Sequence, residues 1–288
     1  LAKSGHADDE GRGMIIINDA AAEDQGFVMV HKHIARRIKK HQTGGVRFMW
    51  NQIVTPGDAE AMQGCLLAHT FVQPVSLLRA LTNQSRMGLG KTMQVITLLV
   101  AIAEAAASPD PKISSQIPLS LQVSRTLVLC PPGLINNWMD ELLTWIPDDM
   151  LETLNPRKVD ASIRLRGRLE TIEDWYLDGG VLVVGYEMFR ALIENKKAKG
   201  RDAATLTEEQ HEQVEKHLLE GPNIIVADEA HKMKNATAGI TIAASKFQSK
   251  SRIALTGSPL ANNVEEYHSM IEWVSQNYLG KSWAIPSR

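Results

Sequence analysis

Cysteine is scarce in this chain. Only Cys65 and Cys130 occur in 288 residues, each inside a strand-like apolar run. A disulfide scaffold is excluded, and both are expected to be buried, reduced thiols of an intracellular protein. No His/Cys cluster has the spacing of metal ligands. No apolar run approaches the ~20 residues that a membrane-spanning helix needs. The start, at Leu1, lacks the basic, apolar and small-residue order of a signal peptide. A bias of charge is missing too. The net charge is -2, so any surface for a polyanion must be local. Internal repeats are also absent. Aliphatic residues, by contrast, are plentiful: hydrophobic residues make up 44% of the chain, enough to bury the core of one large domain or two modest ones.

The apolar residues fall into alternating runs. Residues 1 to about 26 are polar, with Asp8, Asp9 and Glu10 and a brief apolar stretch at Met14–Ile17, and read as a mostly loose tail. From Val28 to Val54 the spacing is helical, with Ile34, Ile38, Val46 and Met49 on one face and an interruption at Gly44-Gly45. Cys65–Ala68 reads as a short buried strand. Thr92–Ala107 is an apolar helix ended by Ser108-Pro109-Asp110-Pro111, and 108–124 is a loop. Thr126–Cys130, Val181–Val184, Ile224–Ala227 and Ile253–Leu255 read as strands. Between them lie helices carrying Leu134, Ile135, Trp138, Leu142 and Trp145, then Arg168–Leu177, then Thr207–Glu220 with a Thr-x-x-Gln start that suits a capping box. Val264–Val274 is the last helix. Short strands unbroken by polar residues and alternating with helices indicate an α/β fold with a mostly parallel sheet covered on both faces.

Two runs carry chemistry. Met87-Gly88-Leu89-Gly90-Lys91-Thr92 opens the long apolar helix. Glycines at a helix start let backbone N–H groups approach a phosphate, and the helix dipole adds to the attraction. Lys91 would reach the β- and γ-phosphates, and Thr92 would hold Mg2+ through its hydroxyl. Ser85 stands where the strict phosphate-loop pattern has its first glycine. Asp228-Glu229 follows the buried run Ile224–Ala227, at a strand end where open parallel sheets bind ligands. Asp228 is placed to bind Mg2+ and Glu229 to orient or deprotonate an attacking water. Lys91 and Glu229 are thus the candidate catalytic pair.

These runs, together with Gln42, Asp228-Glu229-Ala230-His231 and Leu255-Thr256-Gly257-Ser258-Pro259-Leu260-Ala261-Asn262-Asn263, resemble the Swi/Snf-type ATPases of helicase superfamily two. The ATRX-like branch is indicated by Gly64–Thr70 and Met87–Thr92. The resemblance runs from about Ile34 to Gly280. It implies the first of the family's two RecA-like lobes, a three-layer P-loop fold that uses ATP and Mg2+ in the nucleus on double-stranded DNA and chromatin, with no membrane. By the same resemblance, Gln42 reads adenine, and Met87 to Thr92 hold the phosphates. His231, Thr256, Gly257 and Ser258 couple the nucleotide to DNA, with Ser258 where the family usually has Thr. Pro131, Pro132, Trp138 and Tyr186 lie in two DNA-facing segments. Plainer readings stand beside these. Trp138 shares its spacing with Leu134 and Leu142, so core packing competes with DNA contact. Phe189 fits the core, His231 fits a structural hydrogen bond, and Lys196, Lys197, Lys199 and Arg201 fit a solvated loop.

The chain departs from the family at two places. Residues 71 to 86 intervene between Thr70 and Met87, where the family's strand runs straight into the cradle. The segment reads as translated intron, since Thr70-Phe71-Val72 can be encoded across a splice donor and Arg86 can carry an acceptor. A genuine surface insertion is the alternative. Gly280-Lys281-Ser282 can likewise encode a donor, which makes 281–288 a tail outside the family. The second lobe, which in this family supplies arginine fingers and half of the DNA track, is expected to be missing. The expectation is therefore an ATP-binding first lobe of a double-stranded DNA translocase, with 27–280 as the lobe and weak or no turnover by itself. The rivals are a non-catalytic nucleotide- or DNA-binding fragment, an inert product of mis-splicing, and a DEAH-type RNA helicase lobe. The last usually has Ser-Ala-Thr where Leu255-Thr256-Gly257-Ser258-Pro259 stands.

Overall fold

The aliphatic runs are too apolar to leave either face wet, and in the structure they pair side by side. The computed structural model describes residues 14–54, 64–68, 90–195, 206–233, 239–257 and 264–275. Its elements are α1 (Lys32–Ala35), α2 (Lys40–Ile53), β1 (Cys65–Ala68), α3 (Lys91–Ala106), α4 (Pro111–Ser114), β2 (Arg125–Cys130), α5 (Ile135–Trp145), α6 (Leu151–Leu154), β3 (Arg157–Val159), α7 (Leu165–Asp178), β4 (Gly180–Gly185), α8 (Tyr186–Glu194), α9 (Glu208–Glu215), β5 (Ile224–Ala227), α10 (Gly239–Ser245), β6 (Arg252–Thr256) and α11 (Val264–Val274). The strands form one sheet in the order β1-β6-β5-β2-β4-β3, and every pairing is parallel.

Side chains alternate across the pleat and feed two cores. Val128, Cys130, Val181, Val183, Ile224 and Val226 pack with α2, α3 and α5. Leu127, Leu129, Leu182, Val184, Ile225 and Ala227 pack with α7, α8, α9, α10 and α11. The result is a three-layer α/β/α lobe. The register sets its working edge: Ala68 lies opposite Thr256, Leu129 opposite Ala227 and Cys130 opposite Gly185. The residues that follow β2, β4, β5 and β6 therefore emerge along one carboxyl rim.

Four local expectations change. Residues 14 to 26 are not a loose tail. Ile17 is fully buried, Ile16 bridges Met29, and Asn18 ties the segment together by donating to Gly26 O and Gln116 Oε1 at 2.8 Å while its own Oδ1 accepts from Val28 N at 2.7 Å. Helix α2 runs unbroken through Gly44-Gly45. Gly45 is buried where a Cβ would strike the Gln94 amide, so the glycine serves close packing between α2 and α3 and not a break. Strand β3 was not legible, because two of its three residues are charged and it sits at the sheet edge. The 108–124 connection holds α4 and a 3-10 turn at Leu119–Leu121. The predicted capping box is present, with Thr207 Oγ1 accepting from Gln210 N at 3.2 Å and Gln210 Oε1 accepting from Thr207 N at 3.1 Å. The helix it starts turns into a π-helix at Lys216–Glu220. The segments 71–86, 281–288 and the run from Lys196 to Arg201 lie outside the described residues.

Candidate nucleotide site

Gly90 is the last glycine of the cradle and the N-cap of α3. Its φ of 67° is left-handed, a conformation glycine adopts without penalty. The Gln42 side chain lies against it so closely that a Cβ at position 90 would meet Gln42 Nε2. Gln42 is buried, and its Oε1 accepts from Lys39 N at 2.9 Å, which fixes the amide toward the cradle. The sequence-remote glutamine and the cradle are thus neighbours. Met87, Gly88 and Leu89 lie outside the described residues, as does Ser258.

Lys91 and Thr92 open α3 half-buried. Burial lowers the Lys91 pKa from its ordinary range, and the carboxylates of Glu229 and then Asp228 oppose that shift. The ammonium therefore stands in the field of both acids, across two distant segments of the chain. Asp228 extends β5 by one rung, its N donating to Leu129 O at 2.8 Å. Burial raises the pKa of its carboxyl first. Hydrogen bonds from Trp138 and the Glu229 N–H work against that rise, Glu229's charge adds to it, and Lys91 opposes it. Trp138 Nε1 donates to Asp228 Oδ2 at 2.9 Å, and Glu229 N donates to Oδ1 at 2.9 Å. Tyr186 Oη donates to the Asp228 main-chain O at 2.8 Å.

Glu229 has a φ of 51°, a left-handed conformation that costs a non-glycine residue ~1 kcal/mol or more. The turn it makes aims its carboxylate at the next strand. Glu229 Oε2 accepts from Gly257 N at 3.3 Å and lies 3.1 Å from His231 Nδ1. The same His231 nitrogen is 3.4 Å from Thr256 Oγ1. His231, Thr256 and Gly257 therefore meet around one acid.

Two expectations are corrected here. Trp138 is 1% and Tyr186 4% exposed. Both spend their polar atoms on Asp228, so neither side chain is free to touch DNA. Pro131 and Pro132 do stay at the surface of the rim. Phe189 is core, the plainer of its two readings. Cys130 ends β2 beneath Asp228, where burial, and then that acid, push its thiol up to about 12. The sequence did not reveal that Trp138 serves Asp228. The available signal was chemical: a buried indole N–H needs an acceptor, and the helix spacing said only that the ring was inside.

No group of three metal-binding side chains occurs among the described residues. Mg2+ needs none, because it keeps several waters and takes one or two protein oxygens beside phosphate. The Asp228 carboxylate and the Thr92 hydroxyl are hard oxygen donors of that kind, so the residues present fit the ion.

The sheet, its two helical layers and its carboxyl rim define a RecA-like α/β lobe. The SNF2-related domain matches residues 41–284, and the chain belongs to that family. It is 31% identical over 260 residues to the Transcriptional regulator ATRX homolog of Drosophila melanogaster, covering 89% of this chain and 17% of that protein. The Homo sapiens Transcriptional regulator ATRX is 31% identical over 273 residues, covering 92% of this chain and 9% of its own. Protein CHROMATIN REMODELING 20 of Arabidopsis thaliana is 32% identical over 275 residues, covering 93% and 16%. The chain thus spans less than a fifth of each of these relatives. Among solved structures, the Sulfolobus solfataricus SWI2/SNF2 ATPase core in complex with dsDNA aligns with a TM-score of 0.47 at 21% identity, covering 83% of this chain and 36% of that one.

Proposed function

We propose that the chain is the ATP-binding first lobe of a DNA-dependent ATPase, a translocase on double-stranded DNA that acts on chromatin in the nucleus. The observation that carries the reading is geometric: the Gln42 amide packs on Gly90 at the start of α3, Asp228 is held at the end of β5 by Leu129 O and Trp138, and Glu229 reaches Gly257 N beyond β6. Asp228 and Glu229 stand at the carboxyl end of a parallel strand, where such a sheet binds ligands, and both acids act on the Lys91 ammonium. Gln42 binds adenine, the Met87–Thr92 cradle holds the phosphates, and Lys91 neutralises the γ-phosphate. Thr92 and Asp228 hold Mg2+. Glu229 orients the attacking water, while His231 and Gly257, with Thr256 and Ser258, carry its state toward the DNA side. The segment at Pro131 and Pro132 offers the exposed stretch of rim for a DNA strand. The relatives, a transcriptional regulator and a chromatin remodelling protein by name, support the chromatin setting. In ATPases of this kind arginines outside the first lobe neutralise the charge that develops on the γ-phosphate, a contribution of ~10³ or more in rate. By this reading the 288 residues assayed by themselves bind ATP and turn it over slowly, with or without DNA.

The test is binding of a fluorescent ATP analogue to the 288-residue chain with Mg2+, with Lys91→Ala as control. Saturable binding that weakens at least tenfold in the variant supports the reading. Equal binding by both proteins, or none by either, overturns it. A duplex DNA titration in parallel should weaken as salt rises, because phosphate contacts release counterions.

A further inference from the structure

We propose that Trp138 is a positioning residue for the metal ligand Asp228. The inference deepens the ATP-site reading and rests on it. Two atoms fix the Asp228 carboxylate: the Trp138 indole N–H on Oδ2 and the Glu229 N–H on Oδ1, both at 2.9 Å. The second comes from the adjacent residue and holds the carboxylate only to its own turn. The first comes from α5, ninety residues away in sequence, and ties the carboxylate to the body of the lobe. Tyr186, at the start of α8, braces the same residue from below through its main-chain O, and Asp228 N is held by β2. Each carboxylate oxygen keeps a lone pair for a water of the Mg2+ shell, because a carboxylate accepts about four hydrogen bonds and the protein supplies two. Trp138 thus presents an oriented carboxylate to the ion without touching ion or nucleotide.

A purely structural tryptophan would behave differently from a positioning one, and the chain contains a matched control. Trp175, on α7 in the opposite core, is also fully buried, and its Nε1 donates to Gly180 O at 3.1 Å. Trp138→Phe and Trp175→Phe each keep a ring and delete one buried indole N–H. The experiment measures binding of the fluorescent ATP analogue across a Mg2+ titration, and again in EDTA, for the full chain and both variants. Thermal unfolding of each is recorded to place all measurements below the transition. For Trp138→Phe the Mg2+ midpoint should rise about tenfold or more, as when groups that orient a metal ligand are removed. Affinity in EDTA should stay unchanged. Trp175→Phe should lose stability with no shift in the midpoint. Tyr186→Phe, which keeps its ring and loses the contact to the Asp228 main chain, should move the midpoint in the same direction by a smaller factor, and it carries the test if Trp138→Phe does not fold. An unchanged midpoint in Trp138→Phe, or equal shifts in Trp138→Phe and Trp175→Phe, overturns the positioning role while leaving the ATP site intact. Absence of nucleotide binding by the unsubstituted chain at any Mg2+ concentration overturns the ATP-site reading itself, and this proposal with it.

Discussion

Gly90 answers two demands that no other residue meets together. Its φ of 67° is left-handed, and the space a Cβ would occupy is filled by the Gln42 amide. Gly90→Ala should therefore cost ~1–2 kcal/mol from backbone strain. It should also weaken nucleotide binding beyond that cost if, as proposed, the displaced Gln42 amide reads adenine. Denaturant unfolding and nucleotide titration of the same variant separate the two losses. Glu104, on α3, offers a test in pH. Burial, and then the charge of Asp149, push its carboxyl up to about 7 from 4.5. The groups facing it are Asp149 and His31, whose Nε2 is 3.7 Å from Glu104 Oε1 and whose own pKa burial lowers. A carboxyl raised in the folded state gives its stabilisation in full below pH 4.5 and loses it as pH climbs through 7. Glu104→Gln removes that loss. Relative to the parent, it should be near neutral at pH 5 and more stable at pH 8 by about 1 kcal/mol, once the shift is discounted for partial exposure. Denaturant curves at the two pH values measure it.

At the scale of elements, the strands that line the site were legible and the edges were not. β2, β4 and β5 are buried almost throughout, so hydrophobicity alone marks them. β3 declares itself only through its pairing with β4, where Arg157 and Lys158 lie at the outer edge. The 14–30 segment depends on Asn18 reaching Gln116, a contact between positions too far apart for any window to see. α2 contains two glycines that disfavour a helix by propensity, and at Gly45 tertiary packing gives the reason one is there: the Gln94 amide fills the space a Cβ would take. The same blindness to long-range polar contacts hid Arg252. Its place in an apolar strand reads as an intrusion, yet it is only 5% exposed. Its guanidinium donates to Phe247 O at 2.7 Å, Ser249 O at 2.8 Å and Trp273 O at 3.0 Å. It staples α11 and the turn after α10 to β6, the strand that ends in Thr256. Arg252→Ala leaves two buried carbonyls and one half-buried one without their donor and should cost ~3 kcal/mol or more. Arg252→Lys should recover little, since one ammonium cannot reach all three in the fork geometry. Thermal or denaturant unfolding of the pair decides this.

At the scale of the whole molecule, the site is a consequence of strand order. β1 enters at one edge, β2 opens the middle, and β5 and β6 return to fill the gap. That order brings the ends of β1, β6 and β5 side by side, so that a lysine near residue 90 faces acids near residue 230. The same geometry gives residues 71 to 86 their consequence. β1 ends at Ala68, in register with Thr256 on the rim, and α3 starts at Lys91. A phosphate cradle works when strand, turn and helix hold the N–H groups in place before the ligand arrives. The longer path from Ala68 to Lys91 adds about 1 kcal/mol of closure entropy relative to the chain without the insert, because that cost grows only with the logarithm of length. Closure alone is thus a factor of ~10 at most. Deleting residues 71 to 86 should tighten binding of the fluorescent ATP analogue by about that factor, and by more if the shortened turn also orders the N–H groups before binding. The Mg2+ midpoint should not move, because Thr92 and Asp228 are untouched. Equal affinity before and after deletion would show that the cradle forms as well with the insert as without it. The cradle would then be held by Gly90, Gln42 and the body of α3, and the entry from β1 would contribute nothing to it.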